Sequence, residues 1–179
     1  MSLHPKEIAI WYTSKEGQIR FIILPKHISS RKNFFELIGI LDGEMCKKIN
    51  KKGGSSLKIS NSEPKIIEHI IKNFKLIFNI PPKIWTASLT LNNKNNKFLK
   101  KDDIKFKEYW SKELNLNLNR FTKTTFQRKY LSNFSKYGII QIRYSNTLFF
   151  LTLIKIMKSS RKLILKNKAD IVGPIIKYQ

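Results

Sequence analysis

The chain has one cysteine, Cys46, which excludes an intramolecular disulfide and any multi-cysteine zinc site. Its three histidines, His4, His27 and His69, lack the spacing of metal ligands. No uncharged apolar run reaches the about 18 residues of a membrane span, and the N-terminus is charged where a signal peptide would be apolar. These absences predict a protein with no membrane partner, in a reducing compartment. The expected location is intracellular, cytoplasmic or nucleoid-associated, or an organelle interior if the chain is organelle-encoded.

Acid is also scarce. Twelve Asp and Glu stand against 35 Lys and Arg, for a net charge of +23, and no acid falls between Glu113 and Asp170. That segment holds Arg120, Lys123, Arg128, Lys129, Arg143 and Arg161 among its basic residues. A codon bias toward Lys, Asn and Ile would raise the basic count, but it would scatter acids through the segment as well. A surface of this charge attracts polyanions, and nucleic acid is the partner it predicts, with binding that weakens steeply as salt rises.

What is present is enough apolar surface to fold. A 41% hydrophobic and 12% aromatic content argues against disorder, and 179 residues suit one core. Glu7 to Tyr12 and Gln18 to Leu24, rich in Ile, Phe, Trp and Tyr, flank Lys15-Glu16-Gly17 as a β-hairpin would. Pro25 ends it. Ser29 or Ser30 can then cap a helix to about Asp42 that is apolar on more than one face. Glu44 to Ile49 and Ser55 to Ser60 read as a second hairpin around Gly53-Gly54.

Asn61-Ser62-Glu63-Pro64 opens a helix carrying Ile66, Ile67, Ile70, Ile71, Phe74, Ile77 and Phe78 at helical spacing. From Ile84 to Leu91, Trp85, Ala87, Leu89 and Leu91 alternate with smaller or polar residues, as in a half-buried strand. Asn92 to Lys101 is a polar loop, and Asp102-Asp103 can open the next helix. Arg120 to Lys129 and Tyr137 to Tyr144 read as two strands around a polar turn, and Asn146 to about Leu165 as a final basic helix. The order predicts a mixed α/β (α+β) fold with an antiparallel sheet packed on helices.

Within this pattern, Leu37-Ile38-Gly39-Ile40-Leu41-Asp42-Gly43-Glu44-Met45 ends an apolar helical run in two acids. The stretch resembles the signature of the LAGLIDADG homing endonucleases. Leu37, Gly39, Ile40, Leu41 and the acid-small-acid triplet Asp42-Gly43-Glu44 agree in type, while Ile38 replaces a small Ala and Met45 a final Gly. Ser60 to Pro64, Tyr109-Trp110-Ser111, and Tyr137-Gly138 leading into Arg143-Tyr144-Ser145-Asn146 also resemble members of that family, so the likeness covers about Ser29 to Leu165. The organisation it implies is an N-terminal β-hairpin extension over 1–28, an endonuclease-like domain over 29–170 with a β-saddle, and a tail over 171–179.

The resemblance implies a sequence-specific, metal-dependent DNA endonuclease. Its Glu44 would bind Mg²⁺ or another divalent metal at a DNA phosphate, with Asp42 as support at the helix end. Lys58 or Lys123 would assist charge stabilisation. Lys47, Lys58, Lys123, Arg128, Lys129 and Arg143 would contact DNA from the saddle. One motif per chain implies a homodimer, with Leu37, Gly39 and Ile40 at the helix crossing, acting on double-stranded DNA at a pseudo-palindromic site. The alternative is a non-catalytic DNA- or RNA-binding protein on the same scaffold, a regulator or a partner of intron RNA; a third reading is a basic structural protein.

Overall fold

The computed structural model describes residues 6–13, 17–27, 31–48, 55–92, 100–127 and 137–165. It is a mixed α/β structure with two sheets and four helices.

Strands β1 (Glu7–Thr13) and β2 (Ile19–Pro25) form the N-terminal hairpin, antiparallel, with Ile10 opposite Ile22 and Trp11 opposite Phe21. Because side chains alternate across a strand, the two pairs face opposite ways. Ile22 and Leu24 are buried in the main core with Ile8 and Ile10 packed on it, whereas Trp11, Ile19 and Phe21 are exposed. The hairpin thus shares the core of the rest of the chain. Gly17, at φ +77°, supplies the left-handed residue before β2; Lys15 and Glu16 lie outside the described residues.

Helix α1 (Arg31–Glu44) buries Phe34, Leu37, Ile38 and Leu41, the i, i+3, i+4, i+7 stripe of a core-facing helix. Phe35 and Ile40, to either side of that stripe, are half-buried and pack on the core, so the helix is covered around most of its circumference and exposes only a narrow flank of Lys32, Glu36, Gly39 and Gly43. The expected capping residues Ser29 and Ser30 lie outside the described residues. Glu44, expected to start a strand, still belongs to the helix. The strand pairing that follows is brief: Met45 bridges Ile59, and Cys46 N donates to Lys58 O at 3.0 Å. The expected turn at Gly53-Gly54 lies outside the described residues.

After β3 (Leu57–Asn61), Asn61 Oδ1 accepts from Glu63 N at 2.7 Å and Pro64 opens α2 (Pro64–Phe78). Proline is at home there because its missing N–H has no helical acceptor. Of the seven apolar residues expected at helical spacing, six are buried and Ile66 is half-buried against the core. The helix stops at Asn79, φ 55°, whose N–H bonds Lys75 O while Ile80 N bonds Phe74 O, so the last carbonyls are satisfied by a left-handed cap.

Strands β4 (Thr86–Asn92), β5 (Thr125–Gln127) and β6 (Ile139–Tyr144) complete a second sheet of order β3-β6-β4-β5. Helix α3 (Lys100–Leu114) links β4 to β5, and α4 (Thr147–Leu165) follows β6, its start capped by Asn146 Oδ1 on Phe149 N at 2.9 Å. The core between sheet and helices is rich in aromatic rings: Phe74 meets Trp85 edge-on at 5.2 Å and Phe149 at 6.0 Å.

Two sequence expectations for the sheet are corrected. The segments around β5 and β6 do not form a hairpin; β6 lies between β3 and β4, antiparallel to both, and β5 pairs in parallel with β4. The cause is an anchor. Arg120 donates from Nε to Trp85 O and from Nη2 to Ile84 O, each at 2.9 Å, and Thr122 N donates to Ala87 O at 2.7 Å. The segment is therefore fastened where β4 begins and must run beside it in the same direction. Thr124, hydrogen-bonded to Asp103, turns inward there and shortens the strand to three residues.

Candidate functional site

The negative end of a helix dipole is a poor place for carboxylates, each costing about 0.3–1 kcal/mol when exposed. Helix α1 puts Asp42 and Glu44 there, with no basic residue of its own in the last turn. The structure compensates one of them. Arg161 of α4 donates from Nε to Asp42 Oδ2 at 2.8 Å and from Nη2 to Oδ1. Lys47 adds an ion pair to Oδ1 at 3.2 Å and a hydrogen bond to the Asp42 carbonyl at 2.7 Å. The Arg161 bond is the main reason the Asp42 carboxyl lies below the usual carboxylate range; partial burial opposes it and Lys47 reinforces it.

Glu44 receives no such partner. It is half-buried, and among the described residues it makes no hydrogen bond or ion pair. Asp103 and Glu68, by contrast, each hold a lysine one turn along their own helices, at 2.9 and 2.7 Å. An unneutralised carboxylate at a negative helix end, in a chain of charge +23, attracts a cation from outside. The last carbonyls of α1 act in the same direction.

The position of Glu44 relative to the sheet follows from register. Leu57, Ile59, Ala87, Leu89, Ile140 and Ile142 are buried on the side facing the helices. The opposite side presents the cross-strand row Lys58–Arg143–Thr86 and beside it Ser60–Gln141–Ser88. Gln141 Nε2 donates to Ser60 Oγ at 3.0 Å, and Thr86 Oγ1 to Arg143 O at 3.3 Å. None of the four strands carries an acid. Met45 faces the core and bridges Ile59, with Cys46 next to Lys58, so Glu44 stands at the β3 edge of the sheet on the side of the row that begins with Ser60.

The expected site residues are thus distributed unevenly. Glu44 and Asp42 lie at the end of α1, and Lys58 lies on β3, where its backbone oxygen accepts from Cys46 N just beyond the helix. Lys123 is exposed in the connection before β5, at the far edge of the sheet from Lys58. The strand order puts three spacings between their backbones, roughly 14 Å at about 4.8 Å each. Arg143 lies on the open face as expected. Lys47, expected to contact DNA, is engaged with Asp42 and stays partly exposed. Arg128 and Lys129 lie outside the described residues.

Of the three residues expected at a helix crossing, Leu37 is corrected to a core residue, being fully buried. Gly39 is exposed and Ile40 half-buried. Gly39 and Gly43 lie one turn apart on the exposed flank, and a Cβ at either would meet nothing within 4 Å. Arg161, the main partner of Asp42, was counted in the sequence only as one of many basic residues. The signal for such a partner was the acid at a helix C-terminus with no cation in its own last turn; nothing local says which cation answers it.

Among the described residues no three or more His, Cys, Asp or Glu side chains gather into a metal cage. Mg²⁺ does not need one: it keeps several waters and is commonly held by one or two carboxylates plus substrate phosphates. Glu44 fits that donor set, and Asp42, already engaged by two cations, does not. No helix among the described residues is long and apolar enough to cross a membrane. Comparison with protein-family models, with curated protein sequences and with solved structures finds no match.

Proposed function

We propose that the chain is a metal-dependent, sequence-specific DNA endonuclease of the LAGLIDADG homing type, acting as a homodimer. One observation carries the reading: of two carboxylates at the end of the motif helix, Asp42 is neutralised by Arg161 and Lys47, while the half-buried Glu44 has no partner among the described residues and stands at the edge of a sheet whose strands carry no acid.

In this reading Glu44 of each copy holds a divalent ion, which when bound polarises the scissile phosphate and makes an attached water a better nucleophile. Arg161 and Lys47 keep Asp42 ionised and fix the end of α1, so the Glu44 carboxylate has a set position. Lys58 and Arg143 offer charge to phosphates and hydrogen bonds to base edges, and Ser60, Gln141 and Ser88 add neutral donors and acceptors on the same face. A sheet face of this kind fits the major groove, where each base pair shows a distinct donor and acceptor pattern. The small residues Gly39 and Gly43 leave room for a second α1 to approach, which a dimer cutting both strands requires.

The test is cleavage of duplex DNA spanning an empty insertion locus, with Mg²⁺, by the wild type and Glu44→Gln. The variant is expected to lose cutting by 100-fold or more, on the order seen when a group acting at the transition state is removed, and to keep binding. Full cleavage by Glu44→Gln would sink the assignment. Binding by both proteins with cutting by neither would select the non-catalytic DNA- or RNA-binding reading.

A further inference from the structure

A cleft of about 900 Å³ opens where the end of α3 meets the connection from α2 to β4. Three cations line it: Lys83, Lys112 and Arg120. Its remaining lining includes Pro81, Asn115 and Asn117, and none of its lining residues is acidic. The nearest acids in sequence, Glu108 and Glu113, do not line it. The cleft lies on the β4–β5 side of the sheet, with β6 between it and β3.

The hydrogen-bond inventory of the cleft is one-sided. Six of its lining carbonyls already have donors, among them Ser111 O from Leu116 N at 3.1 Å, Leu116 O from Ser111 Oγ at 2.6 Å and Asn117 O from Arg120 N at 2.9 Å, and the Arg120 side chain is held by Trp85 O and Ile84 O just behind the wall. Asn117 Oδ1 accepts from Asn119 N at 3.1 Å, which leaves its amide N–H groups to donate outward. Neutral carbonyls hold the half-buried Arg120 guanidinium in place without cancelling its charge. Lys83 and Lys112 are exposed and have no partner among the described residues. Fixed positive charge and spare N–H donors, with no acid in the wall, are complementary to phosphate oxygens. The volume matches a ligand larger than a lone ion, within the about 300–1,000 Å³ that bound organic molecules fill.

We propose that this cleft binds phosphodiester groups of a nucleic-acid backbone, as a second contact separate from the open sheet face. Lys83 and Lys112 each neutralise a phosphate, Arg120 supplies a fixed charge, and the half-buried Pro81 and Pro82 pack against sugar. The assignment rests on the cleft alone and does not depend on Glu44.

The test is fluorescence-anisotropy titration of a labelled DNA duplex over a range of KCl, without divalent metal, so that cutting plays no part. Wild type is compared with Lys83→Gln/Lys112→Gln and with a control of equal charge, Lys65→Gln/Lys75→Gln, whose lysines are exposed on α2. The cleft variant is expected to bind more weakly, with a log–log salt slope shallower by about 1.8, or about 0.9 per phosphate released. The control is expected to keep most of the wild-type slope. Equal losses in both variants would show only the effect of net charge and overturn the proposal, as would no loss in the cleft variant. A nucleoside monophosphate that displaces the duplex from wild type but not from the cleft variant, at matched ionic strength, would reassign the cleft to a free nucleotide. Loss of cleavage by Glu44→Gln leaves all of these outcomes unaffected.

Discussion

Arg161, one turn from the end of α4, grips the carboxylate of Asp42 at the end of α1, 119 positions earlier in the chain. The last helix thereby holds the end of the motif helix. Both groups are partly solvated, 48% and 31% exposed at the side chain, so the pair contributes more to geometry than to net stability.

The pair has a pH signature. Asp42 titrates below the usual carboxylate range, so its contribution is complete above the ordinary value and is lost as pH falls through the lower, folded one. Arg161→Gln removes the largest cause of the depression. The Asp42 midpoint, followed by carboxyl-carbon NMR, is expected to move up toward the ordinary range, and acid unfolding to begin at higher pH. A midpoint unchanged by the substitution would show that the two side chains do not pair in solution.

The two flanks of α1 separate folding from association. Leu37→Ala removes a fully buried side chain and is expected to cost about 2–5 kcal/mol in a urea titration. Gly39→Ala meets open space and is expected to hold or raise monomer stability by up to about 1 kcal/mol. Gly39→Leu is expected to leave the fold intact and weaken self-association in sedimentation velocity. Association insensitive to that change would reject pairing through this flank.

A third prediction concerns the entry to β6. Gly138 has φ +78°, and a Cβ there would lie 2.5 Å from Leu91 Cδ2 and 2.7 Å from the backbone oxygen of Thr90. The leucine can rotate, but the carbonyl belongs to β4 and cannot yield without disturbing the ladder. Gly138→Ala is expected to destabilise by about 1–3 kcal/mol. Gly17→Ala, at a similar φ but in open space, is expected to cost less. Equal unfolding midpoints for the two variants would contradict this packing.

Where the sequence speaks through local rules, the structure agrees with it. The alternation Trp85, Ala87, Leu89, Leu91 sets the buried side of β4, the apolar stripe of α2 is buried as spaced, and Asn61 to Pro64 starts that helix. Pairings between distant segments were not legible. Two adjacent strand-like stretches read as a hairpin, since nothing local to residues 120–144 records that Arg120 is fastened to the carbonyls of Ile84 and Trp85. The same limit governs the candidate site. Asp42 and Glu44 stood out as acids on an apolar helix, but which of them is neutralised depends on Arg161. Leu37 looked as available as Gly39 because a motif gives residue types without saying which flank of the helix is covered.

The position of β6 also orders events in time. Strands β3 and β4 make no ladder with each other; every hydrogen bond that joins their parts of the sheet passes through Ile139–Tyr144. Until that segment has left the ribosome, β3 and β4 each present an open edge that β6 later covers, and the row Lys58–Arg143–Thr86 does not exist. Closing loops of about 80 and 50 residues to insert one strand is a slow, non-local step. The open face is therefore assembled after α1, α2 and α3 have been made, and the protein acquires that polar face and its finished fold in the same event.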